Sequence, residues 1–460
     1  MQVAGEAVQS AGGVYYGWIV VAVCFIVLAL NAPLLASFAM FYVPVLNEFQ
    51  WTRGSTAVAM AIHLIVSGLA GPGAGALIDR YQARRVMPIG ALVMGGALLW
   101  LSQASALWHF YVAFGVVAAL GSALIHITPL TRIVSNWFMI HRGTAIGLLS
   151  AGSGAGQLVL LPLLQYLINE IGWRNSYIVL GSLILVVPTV LIIGFLHNSP
   201  EDRGLSAEAE MQPRRKRQPV SIVVEEEGQV IGRKRGFIRK NEVVILDQEW
   251  VETDWTVFKA IKTFRFWALT LMMAMFAAGF FIISVQLVAY LTDAGYSSML
   301  AASIMGFQGF INMGGKFFGG VLCDRIGREK TLTLSIIMFV TCVIVLALSG
   351  TLISAVLVYV FAIFYGLGYG MALPALITSS SDLFDGKHFG AILGVILLGG
   401  FLGGAVGTWL GGYLYDRTGT YQMNFLVAAL TMVISAMLVW KARPSRVRLV
   451  RSVQGDSMSL

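Results

Sequence analysis

The stretch GALIDRYQARR (residues 75–85) has a near copy 245 residues later, GVLCDRIGREK (residues 320–330). In both, an apolar run ends in glycine, three further residues, an Asp-Arg pair and more basic residues. Two more pairs keep almost the same offset. RGTAIG (residues 142–147) returns as FGAILG (residues 389–394), and GWRNSY (residues 172–177) as GTYQMN (residues 419–424), both 247 residues on. Three matched marks in one order indicate a chain built from two equivalent halves. Repeated halves of apolar helices are a transporter architecture, with the solute site between them.

Composition places those halves in a membrane. Of 460 residues, 57% are hydrophobic and only 12% charged, about half the charged share of a soluble protein. Apolar runs of spanning length recur near residues 17–42, 55–78, 86–104, 109–134, 144–169, 176–197, 266–291, 298–322, 331–349, 352–380, 389–414 and 423–440. With no water in the bilayer core, each is expected to be a helix. The first run is longer than a signal-peptide core, and no Lys or Arg precedes it, so it reads as a true span. The expectation is an all-α membrane protein, with twelve transmembrane helices in two six-helix pseudo-repeat bundles. Its parts are an N-terminal tail (1–16), a first bundle (17–197), a linker loop (198–265), a second bundle (266–440) and a C-terminal tail (441–460).

The net charge of +8 does not indicate nucleic acid, because its distribution follows the loops. Arg53, Arg174 and Arg417 fall on one side of the predicted membrane and Lys316 lies inside a span. The remaining Lys and Arg fall in the alternate loops, the linker and the tail. By the positive-inside rule both termini are expected in the cytoplasm. The run RRKRQ (residues 214–218) reads as a solvated, topology-fixing stretch, with anionic lipid as the alternative partner. Within the linker, residues 206–250 are polar and charged, and VVIL (residues 243–246) is a candidate short strand. Cys24, Cys323 and Cys342 are odd in number and lie in or beside spans, so they read as core residues. No nucleotide-binding loop and no metal-spaced cluster appears. Neither cofactor nor metal is expected, and no nucleophile constellation argues for an enzyme.

The G-x-x-x-D-R turn, present twice, resembles the loop motif of the major facilitator superfamily. Five features resemble its monocarboxylate porter and oxalate/formate antiporter branch. They are GWIVV (residues 17–21), FQWTR (residues 49–53), NWFMIHRGTAIG (residues 136–147), IGWR (residues 171–174) and SPEDRGL (residues 199–205). The resemblance covers nearly the whole chain except the 205–250 insert. Gln82 departs from it, standing where the loop motif has glycine. The resemblance implies a multi-pass carrier of the plasma membrane, in a bacterium the inner one, acting as a monomer. It also implies that Asp79, Arg80 and Arg84, with Asp324, Arg325 and Arg142, latch the cytoplasmic gate. Charges at helix ends also meet the helix dipole and can simply mark the membrane edge. Glycines recur in GLLSAGSGAGQ (residues 147–157) and GVILLGGFLGGAVG (residues 394–407). Their spacing allows close packing, and a place between the halves would let them slide.

Lys316 carries the functional argument. It lies eight residues before Asp324, about 12 Å deeper at 1.5 Å per residue, farther than a lysine stem snorkels. Gln308, Asn312, Lys316 and Gly320 recur every four residues and share one helix face. Lipid would penalise that stripe, so it should face a wet cavity. No acidic residue lies at the same depth: Glu48, Glu170, Asp293, Asp382 and Asp385 are at span ends or in loops. A buried cation without an anion is costly, and an anionic substrate would complete the pair. In the resembling family a basic residue at this place binds the substrate carboxylate. Oxalate carriers of the branch have a second basic residue in span 11, where this chain has Gly400. One fixed cation suits one carboxylate, so a small organic anion of the lactate or pyruvate kind is expected. The competing reading of Lys316 is a helix-packing lysine bonded to backbone carbonyls.

Further candidate substrate contacts are Asn312 and His126, which shares a face with Ser122. Asn31, Phe280, Gln286, Tyr365 and Tyr369 lie on spans that line the cavity in this superfamily, and each is equally readable as core packing, as is His63. Coupling is either proton symport or anion exchange. Asn312 stands where the resembling porters have an acid, which weakens a carboxylate-based proton relay. Alternative solutes are a dicarboxylate, an aromatic acid or a drug-like compound. A non-transporting receptor signalling through the linker is the remaining alternative.

Overall fold

The computed structural model describes residues 15–138, 141–203 and 241–452. The RRKRQ run and most of the 206–250 insert lie outside them, as does the side chain of Asp79. The first half contains α1 (Tyr16–Asn31), α2 (Pro33–Phe49), α3 (Arg53–Tyr81) and α4 (Ala83–Leu101). Then come the short α5 (Leu107–His109), a π-helical stretch (Phe110–Ala118), α6 (Ala119–Leu124), α7 (Ile127–Trp137) and α8 (Arg142–Phe195). After the linker come two five-residue helices, α9 (Gln248–Glu252) and α10 (Val257–Ile261). The second half is α11 (Phe264–Asp293), α12 (Ser298–Ile326), α13 (Arg328–Leu352), α14 (Ala355–Phe384), α15 (Phe389–Thr418) and α16 (Gln422–Ala442).

Ten helical segments are long and apolar enough to cross a membrane among the described residues. The twelve-span reading adds two considerations. The 54-residue α8 changes direction at Gly172, whose φ of 78° suits glycine. The 29-residue α12 carries the polar stripe with Lys316 and is not among the ten. Local chemistry sets several starts: Thr52, Thr263 and Ser297 each cap the following helix by accepting a backbone N–H.

The duplication seen in the sequence is also a duplication of packing. A Cβ on Gly152 would stand 2.5 Å from the Phe25 carbonyl oxygen, and one on Gly156 would overlap Ala29. Equivalent close approaches recur 247 residues on for the glycines: Gly399 lies against Thr270 and Gly403 against Ala274. Phe25 and Ala29 are themselves 245 residues before Thr270 and Ala274. These glycines therefore press α8 onto α1 and α15 onto α11, inside each half. That corrects their expected place between the halves. Gly154, facing Gly309, Phe310 and Met313 of α12, and Gly404, facing Leu64 of α3, do sit there.

The halves meet along α3 with α15, the first arm of α8 with α12, and α2 with α11. Gln82 has φ 69° and ψ 141°, and Gly327, 245 residues later, has φ 93° and ψ 164°. The loop motif thus makes the same turn in both halves, once with glycine and once without. Next to the second half, β1 (Asn241–Ile245) pairs antiparallel with β2 (Arg448–Ser452). The strand predicted at 243–246 is there, shifted by a residue or two, and its partner is the C-terminal tail.

Candidate functional site

The two ends of the interface between the halves differ. On the side away from the linker, the far side, a charged cluster joins them. The Arg53 guanidinium donates to Asp293 at 2.7 Å and to the Tyr421 hydroxyl, and lies 3.7 Å from the centre of the Tyr415 ring. The Asp416 carboxylate accepts the backbone N–H groups of Arg53 (2.9 Å) and Gly54 (2.7 Å). An acid there meets the positive end of α3. The Tyr42 hydroxyl donates to the Arg53 carbonyl (2.7 Å) and accepts from Gln286 (3.0 Å). A Cβ on Gly412 would lie 2.6 Å from the Arg53 carbonyl oxygen, so backbones touch here.

On the linker side the same helices stand apart. Gly71, Gly73 and Gly75 of α3, Gly143 and Gly147 of α8, Gly320 of α12, and Gly390 and Gly394 of α15 have open space where a Cβ would be. Arg80, Arg84, Arg142, Asp324 and Arg325 are exposed around this opening. Arg84 donates to the Ile193 carbonyl (2.7 and 3.2 Å) within its own half, and Arg80 lies over the Tyr81 ring. One residue past the loop-motif turn, Arg328 pairs with the buried Asp382 at 2.7 Å, tying α13 to α14.

Between the two ends lies a cavity of about 130 Å³. Its aromatic wall is Phe280, Phe281, Tyr365 and Tyr369, with Phe280 and Tyr369 stacked at 3.9 Å. Gln157, Ser284, Gln308 and Asn312 supply its polar atoms. The Tyr365 hydroxyl is engaged by the Phe280 carbonyl (2.9 Å) and by Ser284. The Gln308 Oε1 and Asn312 Nδ2 atoms are buried and have no hydrogen-bond partner among the described residues. Phe280, Asn312, Tyr365 and Tyr369 thus line one cavity. Gln308 belongs to the four-residue stripe expected to face a cavity; Gln157, the amide in a glycine-rich span, is an addition.

Lys316 lies one turn beyond Asn312 toward the opening and is half-buried. Among the described residues no ion pair or hydrogen bond engages its ammonium. His126 is exposed to the open space, in extended conformation, at the start of α7. It does not share a helix face with Ser122, because the chain breaks between α6 and α7. Pro129 supplies the cause. A proline has no N–H for the carbonyl four residues back, here Ile125, and its ring clashes with it. Asn31 Nδ2 takes up that carbonyl at 3.2 Å, while its Oδ1 accepts from Ser122 at 2.9 Å.

Asn31 is therefore not brought to the cavity: its amide fastens α1 to the broken span. Gln286 is likewise elsewhere, buried against Tyr42 on the far side. His63 is buried with Nδ1 2.8 Å from the Phe114 carbonyl, a helix-to-helix contact. Among the described residues no group of three His, Cys, Asp or Glu is placed to hold a metal ion.

Comparison with known proteins agrees with this architecture. The family model described as Major Facilitator Superfamily matches residues 17–408 and 357–456. Monocarboxylate transporter 2 of Mesocricetus auratus is 24% identical over 440 residues, covering 95% of this chain and 85% of the relative. The uncharacterized MFS-type transporter YcxA of Bacillus subtilis is 25% identical over 412 residues, covering 87% and 89%. Among solved structures, a bacterial homolog of the human lysosomal transporter Spinster, inward-facing and occupied, superposes with a TM-score of 0.68. It is 14% identical and covers 95% of this chain and 98% of its own; that likeness concerns the fold.

Proposed function

The chain belongs to the Major Facilitator Superfamily and is a membrane transporter, and on that premise we propose that it carries a monocarboxylate by proton symport. One observation carries the reading: the Lys316 ammonium, at the inner end of an open vestibule, has no anionic partner among the described residues. Leaving a charge unpaired in such a place costs several kcal/mol. A carboxylate from solution removes that cost and is held by a charge-assisted hydrogen bond of about 1.5–3 kcal/mol.

His126 supports the choice of symport. His126 is exposed at the start of α7, and in this reading it takes up the proton while Lys316 holds the carboxylate. Anion and proton then load together, and the site crosses with less net charge. Asn312, an amide, does not fill the proton-carrying role, whereas an imidazole can take up and release a proton.

In this reading the linker side faces the cytoplasm, which the Lys and Arg distribution supports. The open glycines then belong to a cytoplasm-facing state, and the Arg53 cluster is the closed outer gate. Asp79, Arg80, Arg84, Arg142, Asp324 and Arg325 belong to the inner gate, which closes when the outer cluster parts. Uptake of labelled lactate, pyruvate and acetate into proteoliposomes, with and without an inward proton gradient, tests the reading. Gradient-stimulated uptake is expected. Uptake that responds only to anion inside the vesicle would replace symport by exchange, and flat uptake of all three would remove these small acids as substrates.

A further inference from the structure

We infer that the cavity beyond Lys316 receives a hydroxylated ring, so that the preferred substrate is a hydroxyaryl monocarboxylate rather than an acid of lactate size. The inference rests on Lys316 as the carboxylate anchor and asks what the rest of the substrate must look like.

Size is the first argument. The cavity measures about 130 Å³, and an apolar protein cavity of about 150 Å³ accommodates benzene. A carboxylate at Lys316 leaves this space for the body of the molecule. The methyl and hydroxyl of lactate would fill a small part of it. Water can occupy the amide end, but the ring-lined end offers it no partners.

Wall chemistry is the second argument. Phe280 stacks with Tyr369 at 3.9 Å and with Tyr365 at 4.9 Å, which gives the cavity a flat aromatic side. Phe281, edge-on to Phe280, and Met60 add apolar surface. Such a wall favours another ring in offset or edge contact.

The third argument is the pair of orphaned atoms. Gln308 is 6% exposed and its Oε1 has no donor; Asn312 Nδ2 has no acceptor. They lie on one face of α12, about 12 Å and about 6 Å along the axis from Lys316 by helical rise. A hydroxyl both donates and accepts, so a single hydroxyl on the far edge of the ring serves both atoms. Exchanging the oxygen and nitrogen of both amides together leaves this requirement of one donor and one acceptor in place. An acid without the hydroxyl leaves both atoms unpaired, which weakens its binding.

The test is binding of three probes, para-hydroxyphenylacetate, phenylacetate and lactate, to the full-length protein in nanodiscs by calorimetry. The expected order is para-hydroxyphenylacetate, then phenylacetate, then lactate, with roughly tenfold between the first two. Gln308→Leu is expected to flatten the difference between the two ring acids while both still bind. The ranking in the unaltered protein decides even if that variant does not accumulate. Equal affinity for the two ring acids, or lactate binding as tightly as either, overturns the inference. If lactate alone binds and Lys316→Ala abolishes it, the anchor stands and the ring pocket falls. If the probes that bind do so equally well in Lys316→Ala, the anchor reading falls and this inference with it.

Discussion

Helices α3 and α15 run side by side, yet their two ends behave as different interfaces. At the far side Gly412 touches the Arg53 backbone, and Asp416 caps the start of α3. Midway, a Cβ on Gly68 would stand 2.9 Å from Phe401. Toward the linker, Gly71, Gly73 and Gly75 on one helix and Gly390 and Gly394 on the other face empty space. The same kinds of residue are thus used twice, once in contact and once waiting for it. Close-packed interfaces switch between discrete arrangements rather than deforming continuously. A rocking motion that parts Gly412 from Arg53 would bring the linker-side glycines together.

The largest effect should follow from filling the closed end. Gly412→Ala places a methyl against the Arg53 backbone, an overpacking of about 1–3 kcal/mol. That is roughly a ten- to hundredfold shift toward the far-side-open state. Gly394→Ala, which enters open space in this state, should not cause that shift. Accessibility of single cysteines from each side measures both. If both substitutions act alike, the contrast between the two ends is not functional.

Removing the charge at the closed end should do less. Arg53→Gln loses the pair with Asp293, whose side chain is 44% exposed, so the pair itself is worth about 1 kcal/mol or less. A several-fold rise in far-side accessibility is expected; no change would reduce the cluster to surface decoration. At the other end, Asp79→Asn should weaken the inner gate and lower turnover more than affinity in uptake kinetics. An equal loss in affinity would place Asp79 elsewhere in the cycle.

The duplicated frame was legible because duplication fixes both members of each contact. Gly152 and Gly399 stand 247 residues apart, and their partners Phe25 and Thr270 stand 245 apart. Lys316 and Asn312 were legible because charge and amides on one helix face inside a span have few explanations. Asn31 and Gln286 were not, since a buried amide serves a cavity and a helix-to-helix bond equally well. The break before His126 carried a signal that the apolar period hid: Pro129, four residues after Ile125. The far-side cluster was invisible because Arg53, Asp293, Asp416 and Tyr421 belong to four separate span ends.

The smallest effect concerns the loop motif itself. Gln82 holds a positive φ of 69° that glycine adopts in the equivalent turn at Gly327. Gln82→Gly should relieve that strain and raise stability by up to about 1 kcal/mol, a small upward shift in Tm. A lower Tm would mean that the Gln82 side chain contributes more than its backbone costs.

The central claim is tested most directly by measuring binding and uptake of acetate, lactate and phenylacetate by the unaltered protein, Lys316→Ala and Lys316→Arg. The account predicts that Lys316→Ala inserts and folds but binds roughly ten- to a hundredfold more weakly. Lys316→Arg should retain part of the activity, because the charge stays while its planar fork needs more room. Native-rate transport of any of these acids by Lys316→Ala would contradict it and make Lys316 a packing residue.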